Sequence, residues 1–273
     1  MGGTLLKSGI SRSISTRELA LEPKWTRFPA ADVRLPTTSP KLSDFFQIKR
    51  GIATGNNNYF ILSEEDVKTH SLPMQELRPI LPSPRYLTED EVKADNDGNP
   101  IVARRLFLLD THLGESDIKA RFPQLWTYLE KGKAQGLHEG YLCSHRSPWY
   151  SQENRQPAPI VCTYIGRGDT KRGRPFRFIL NDSRATVANV YLAMYPTPLL
   201  ARAMKNDKTL IRKLWRVLNT ISIEQLLSEG RVYGGGMFKL EPKELANVDA
   251  SAIAELIPDL QLEEKTEQLV MFG

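Results

Sequence analysis

Phe46-Gln47-Ile48-Lys49-Arg50-Gly51-Ile52-Ala53-Thr54-Gly55-Asn56-Asn57-Asn58-Tyr59-Phe60-Ile61-Leu62 is the stretch on which the reading of the whole chain turns. It opens on an apolar/polar alternation, Phe46 and Ile48 against Gln47 and Lys49, the period of a half-buried strand. It closes on Tyr59-Phe60-Ile61-Leu62, a short apolar run of strand type. Between them, Gly55 and the three asparagines accept positive φ, which predicts a tight hairpin with backbone N–H groups pointing outward. Lys49 and Arg50 stand just before the turn beside Thr54, Asn56 and Asn57, and cations beside a concave set of amides form a seat for a phosphate oxygen. An ordinary solvated hairpin tip is the alternative.

The chain of 273 residues is long enough to bury a sizeable core. With 25% charged and 40% hydrophobic residues, it reads as globular rather than disordered. A net charge of +5 leans toward an anionic partner. No apolar run reaches the roughly 20 residues of a membrane span. The N-terminal residues lack the apolar core of a signal peptide, and Leu6 breaks the myristoylation pattern. Two cysteines, Cys143 and Cys162, supply no disulfide framework, so a reducing cytoplasm is expected.

Residues 1–40 are rich in Ser, Thr and Pro and read as a linker-like segment. Three prolines in Leu77-Arg78-Pro79-Ile80-Leu81-Pro82-Ser83-Pro84 forbid a helix interior and predict an extended path. Residues 94–100 form a turn; Asp95 and Asp97 resemble a calcium loop only superficially, because the closing glutamate is absent. Leu106-Phe107-Leu108-Leu109 predicts a buried strand. A helix is expected to start at Pro123 and stop at Lys131-Gly132. Cys143, His145 and Cys162 lack the paired spacing of structural zinc, so no metal site is expected.

Ile160-Val161-Cys162-Thr163-Tyr164-Ile165 and Phe176-Arg177-Phe178-Ile179-Leu180 flank a glycine-rich tip carrying Arg167, Lys171, Arg172 and Arg174, opposed only by Asp169. A two-stranded ribbon with such a tip fits a DNA groove, its guanidinium groups bridging phosphates or pairing with guanine. A solvated charged loop is the alternative. Ser183 and Arg184 fall in a turn, and Arg184 is a candidate contact. Leu210, Ile211, Leu214, Trp215 and Leu218 repeat at helical spacing, with Asn206 or Asp207 as N-cap, and a second short helix covers Ile223 to Leu227. Gly230-Arg231-Val232-Tyr233-Gly234-Gly235-Gly236 precedes a strand rather than a helix, which argues against a nucleotide cradle.

Arg50-Gly51-Ile52-Ala53-Thr54-Gly55-Asn56 followed by Phe60 resembles the segment that opens the target recognition domain of TaqI-like adenine-N6 DNA methyltransferases, including those fused to type II restriction enzymes. The proline-rich stretch, the Arg146 to Tyr150 segment, the strand pair over residues 180–196 and the glycine-rich turn with Tyr233 and Lys239 follow in that family's order, so the resemblance spans residues 25–250. Ser147-Pro148-Trp149-Tyr150 is similar to the catalytic Asn-Pro-Pro-Tyr of adenine methyltransferases. Trp replaces the second Pro, however, and the segment lies after the opening motif, so it reads as non-catalytic. Arg146, Trp149 and Tyr150 are left as candidates for DNA contact or for packing. No Phe-x-Gly-x-Gly cofactor loop and no βαβ alternation are present.

The resemblance implies an α+β recognition domain over residues 41–250, with a mixed sheet, hairpins and C-terminal helices, followed by a tail over 251–273. It would bind double-stranded DNA beside a methyltransferase catalytic domain or subunit that holds S-adenosylmethionine, with no cofactor in this chain. At the end of the tail, Gln268, Leu269, Met271 and Phe272 resemble the peptide by which bacterial proteins dock on the replication sliding clamp; a chance apolar end is the alternative. An assembly subunit of a defence system that binds protein or RNA is a second reading of the whole chain. A stand-alone enzyme finds little support in four scattered histidines, His70, His112, His138 and His145.

Overall fold

The structure, a computed structural model, describes residues 39–167, 174–233 and 236–257. The expected linker up to residue 38, the ribbon tip with Lys171 and Arg172, and the tail with Gln268, Leu269, Met271 and Phe272 lie outside the described residues.

The strands are β1 (Phe46–Arg50), β2 (Ile61–Ser63), β3 (Leu77–Ile80), β4 (Glu91–Val92), β5 (Leu106–Leu109), β6 (Ile160–Thr163), β7 (Ile165–Arg167), β8 (Phe178–Asn181), β9 (Tyr191–Pro196), β10 (Arg231–Tyr233) and β11 (Met237–Lys239). They form a five-stranded sheet in the order β1-β9-β6-β8-β4 and two three-stranded sheets, β2-β5-β3 and β10-β11-β7. Pairing is antiparallel except for β4 with β8. With helices interspersed, the fold is α+β.

Both faces of the five-stranded sheet are covered, which explains why β6, β8 and β9 read as unbroken apolar runs. Successive residues alternate between two separate cores. Ile160, Cys162, Phe178, Leu180, Leu192 and Met194 pack against the C-terminal helices, represented by Leu200, Leu214, Leu226, Leu245 and Ile253. Val161, Ile179, Tyr191 and Ala193 point the other way, onto Leu81, Leu87, Val92 and Val187. Each fully buried Leu or Ile of these layers stabilises the fold by about 1.5–3 kcal/mol relative to exposure. The β2-β5-β3 sheet packs with the helices Glu115–Arg121 and Pro123–Ala134 into a third core around Phe60, Leu62, Leu108, Ile118 and Leu129.

The expected hairpin is not formed. β1 pairs with β9, Ile48 opposite Met194, whereas β2 pairs with β5, Leu62 opposite Phe107. Asn57–Phe60 makes a helical turn between them, and the Asn56 side chain caps it by accepting from the Tyr59 N–H. Asparagine serves helix N-caps as readily as turns, and burying Tyr59 and Phe60 in the third core draws the chain away from β1. Gly51 is where it leaves: a Cβ there would lie 2.2 Å from the Ala188 carbonyl oxygen, so only glycine lets the two backbones meet.

The helix expected to stop at Gly132 runs on to Ala134. Gly132 instead makes room for Tyr59, whose hydroxyl would lie 2.4 Å from an added Cβ. Tyr59 and Tyr128 stack at 4.6 Å and exchange hydrogen bonds, the Tyr59 hydroxyl donating to the Tyr128 carbonyl (2.9 Å) and the Tyr128 hydroxyl to the Tyr59 carbonyl (2.7 Å). The N-cap of Leu210–Leu218 is Thr209 rather than Asn206 or Asp207; the Asp207 carboxylate accepts from the Thr209 N–H and hydroxyl, which hold its pKa down at about 2. A further helix, Pro198–Asn206, precedes Leu210–Leu218, capped by the Thr197 hydroxyl accepting from the Leu200 N–H. The core also runs past residue 250, because Ser251–Leu256 is helical with Ile253 buried.

Gly132→Ala is expected to lower unfolding stability by about 1–3 kcal/mol, because overpacking against the doubly bonded Tyr59 outweighs the gain in helix propensity. Thermal unfolding of the variant checks this, and an unchanged or raised Tm would refute it. Burial pushes the Tyr128 phenol up to about 12 and raises Tyr59 and Tyr191 well above their ordinary 10.0. Above about pH 10 the unfolded chain therefore loses protons that the folded chain retains, and stability falls as pH rises. Burial also raises the thiols of Cys143 and Cys162 above their ordinary 9.0, so urea midpoints should begin to decline near pH 9 and fall more steeply beyond about pH 10.

Candidate nucleic-acid interface

The sheet β10-β11-β7 brings together residues some seventy positions apart. Arg231 lies opposite Lys239 and Tyr233 opposite Met237; Lys239 in turn faces Ile165, and Met237 faces Arg167. Paired residues share a face and neighbours along a strand alternate, so Ile165, Arg167, Arg231, Tyr233, Met237 and Lys239 line one side. Phe238, on the other side, packs against the core. On the first side Ile165 is 48% and Tyr233 40% exposed, large for apolar and aromatic groups, and Arg167 is exposed without an ion-pair or hydrogen-bond partner among the described residues.

The cations of this side are held in position. The Arg50 guanidinium, at the end of β1, lies 4.2 Å from the ring centroid of the buried Tyr164, and the Lys239 ammonium lies 5.1 Å from it. Arg50 also donates through Nε to the Asn189 carbonyl at 3.1 Å. The Tyr164 hydroxyl donates to Glu241 Oε1 at 2.8 Å, and Lys239 Nζ lies 2.7 Å from the same oxygen. Hydrogen bonds to Glu241 and Tyr164 raise the Lys239 pKa. Burial pulls the Glu241 carboxyl upward, but the bonds from Lys239 and Tyr164 together outweigh it and leave its pKa lowered. Arg231 Nε pairs with Glu244 Oε1 at 2.7 Å, while Glu244 Oε2 accepts from the Glu241 N–H and caps the helix Pro242–Ala246. Four cations thus face two carboxylates. Lys49, exposed and opposite Ala193, projects from the other face of β1.

Beside this side, residues 53–58 line an open cleft of about 300 Å³ with Leu142 and Asn189. The loop is clasped from beneath. Arg146 donates to the Ala53 carbonyl (2.6 Å), the Thr54 carbonyl (2.9 Å) and Gln152 Oε1 (3.2 Å). The buried Thr54 hydroxyl donates to Asn57 Oδ1 at 2.7 Å.

Of the residues singled out in the sequence, Arg50, Arg167, Tyr233 and Lys239 are therefore gathered on or beside one face. Thr54, Asn56 and Asn57 shape the adjoining cleft, their side chains partly engaged with the loop itself. Arg146, half-buried, bonds to the loop carbonyls, and Trp149 and Tyr150 pack within the chain, Trp149 half-buried. Trp149 lies about 6 Å from the rings of Tyr59 and Phe60, and Tyr150 is fully buried with its hydroxyl donating to the Leu113 carbonyl. The ribbon strands β6 and β8 pair as expected, but beyond Tyr164 the chain passes into β7 and joins β11. Arg174 donates to the carbonyls of Asn219 (2.6 Å) and Ile221 (2.9 Å), closing the end of the helix Leu210–Leu218. Arg184 bonds Asn99 on the turn over 94–100. Arg231 was missed, although its place two residues before Tyr233 on a strand puts both on one side. A larger open cleft, about 670 Å³, is lined by Glu89, Asp90, Glu91, Trp215 and Arg216, with Asp90 and Glu91 paired to Arg177 and Arg212. Among the described residues no His, Cys, Asp and Glu cluster could hold a metal, and no helix is long and apolar enough to cross a membrane.

The chain is similar to a Type II methyltransferase, M.XamI, of Xanthomonas campestris pv. amaranthicola, with 28% identity over 244 residues, 89% of this chain and 42% of the relative. It is also 27% identical over 205 residues to the Type II methyltransferase M.AccI of Acinetobacter calcoaceticus, covering 74% of this chain and 35% of that protein. The chain thus spans well under half the length of these curated relatives. Residues 22–271, nearly the whole chain, match the family described as "Type II methyltransferase M.Eco57I, C-terminal domain", and the chain belongs to that family.

Proposed function

We propose that this chain recognises the target site of an adenine-N6 DNA methyltransferase. It grips duplex DNA while S-adenosylmethionine and the catalytic residues sit in a domain or subunit corresponding to the portion of the relatives that it does not cover. The observation that carries this reading is the convergence of Arg50, Arg167, Arg231 and Lys239, with Tyr233 between them, from three distant segments onto one margin of the molecule. Ion pairs with Glu241 and Glu244 fix two of these cations in place, as phosphate contacts that set orientation require. Residues 41–250 form the core of the recognition unit, extended by the helix Ser251–Leu256. Such an enzyme works in the cytoplasm, where Cys143 and Cys162 stay reduced. The segment around Gln268 and Phe272 is its candidate contact with the sliding clamp.

The test is a salt titration of duplex DNA binding, with double-stranded RNA as the competing partner. Four phosphate contacts give log K against log salt a slope of about −3 to −4, and the duplex DNA is expected to bind more tightly than RNA. A flat salt dependence, or a preference for RNA, would overturn the reading. Joint Arg167→Ala and Arg231→Ala replacement should reduce the steepness by about two units. Arg174→Ala should leave the slope alone and instead lower unfolding stability by about 1–3 kcal/mol, because the carbonyls of Asn219 and Ile221 lose a charged donor. The chain by itself should transfer no methyl group from labelled S-adenosylmethionine to DNA.

A further inference from the structure

We infer that Asn58 and Asn189 read base identity, taking the major-groove edge of an adenine within the recognised sequence through the cleft that they rim. This rests on the reading that the chain binds duplex DNA and goes beyond it by assigning sequence discrimination to named side chains.

The cleft adjoins the cationic side directly, since Arg50 donates to the backbone carbonyl of Asn189, one of the cleft's own residues. Its character then changes abruptly. Ala53, Thr54, Gly55, Asn56, Asn57, Asn58, Leu142 and Asn189 include no ionised side chain. A neutral, amide-rich hollow beside a cationic margin divides the work as groove binding demands, with charge positioning the backbone and hydrogen bonds reading the bases.

The four asparagines are not equivalent. Asn56 Oδ1 accepts from the Tyr59 N–H, and Asn57 Oδ1 accepts from the Thr54 hydroxyl. The side-chain amides of Asn58 and Asn189 have no hydrogen-bond partner among the described residues; Asn58 is exposed and Asn189 half-buried. A carboxamide offers one acceptor and one donor side by side, which matches the N6 amine and N7 of adenine as a two-bond pair. Neither residue sits on a slack loop. Arg146 grips the Ala53 and Thr54 carbonyls from below, and Asn189 is tied by its own N–H to the Ile52 carbonyl at 2.9 Å. A backbone held in this way loses little freedom on binding, which leaves only the short side chains of the two asparagines to be ordered.

The experiment is selection from a pool of randomised duplexes, followed by competition binding, with the wild-type chain and with Asn58→Ala, Asn189→Ala and the double variant, each checked for an unchanged thermal melt. The wild type is expected to enrich a sequence with adenine at a fixed position. The double variant should keep the salt slope and its affinity for unselected DNA within about twofold, while discrimination at that position falls by about tenfold to a hundredfold. Replacing the responsible residue with Asp should move the preference toward cytosine, whose N4 amine donates to a carboxylate. Equal discrimination by wild type and double variant overturns the inference. So does a uniform loss of affinity for every sequence, or a wild type that binds duplexes without preference; these outcomes leave DNA binding itself standing. A wild type that binds no duplex removes both readings.

Discussion

The five-stranded sheet is buried on both faces, and this constraint decides where everything else can go. A strand covered on both sides has no room for a charge, so β6, β8 and β9 carry apolar residues in both registers. Charge emerges only where strands run out of the covered zone. Arg50 ends β1 at the edge of the sheet, and Arg167 ends β7, the continuation of β6 beyond Tyr164. The β10-β11 pair, arriving from the far end of the chain, adds Arg231 and Lys239 at the same margin. The cationic surface is thus a consequence of core architecture as much as of composition.

Tyr164 links the two. It is buried in the sheet core, yet its ring underlies both Arg50 and Lys239, and its hydroxyl orders Glu241. A phenol with an apolar body and a polar tip suits such a boundary. The two cations share one ring, and Lys239 is further compensated by the Glu241 carboxylate beside it.

Much of the fold was legible in the residues themselves. The Leu106–Leu109 strand, the pairing of β6 with β8, the helices beginning at Pro123 and near Asp207, and the extended proline-rich path all follow from local pattern. What pattern could not supply was partner choice. The segment from Phe46 to Leu62 has the composition of a hairpin, and nothing within it reveals that β9 and β5 compete successfully for its two ends. Gly132 likewise looks like a helix stop until Tyr59, seventy-three positions earlier in the chain, is seen to occupy the space. Candidate cations fared unevenly for a related reason. An arginine in a sequence advertises charge, but not whether a helix end or a loop carbonyl already claims its donors, as happens at Arg174 and Arg146.

The clasp by Arg146 has a further consequence. Its guanidinium holds the main-chain oxygens of Ala53 and Thr54, not their side chains, so the path of that loop is indifferent to much of what it displays. Outward-facing positions such as Ala53 and Asn58 can be exchanged while the scaffold beneath stays as it is. An architecture of this kind lends itself to diversification: new preferences arise by swapping a few rim groups, with no need to rebuild the frame that presents them.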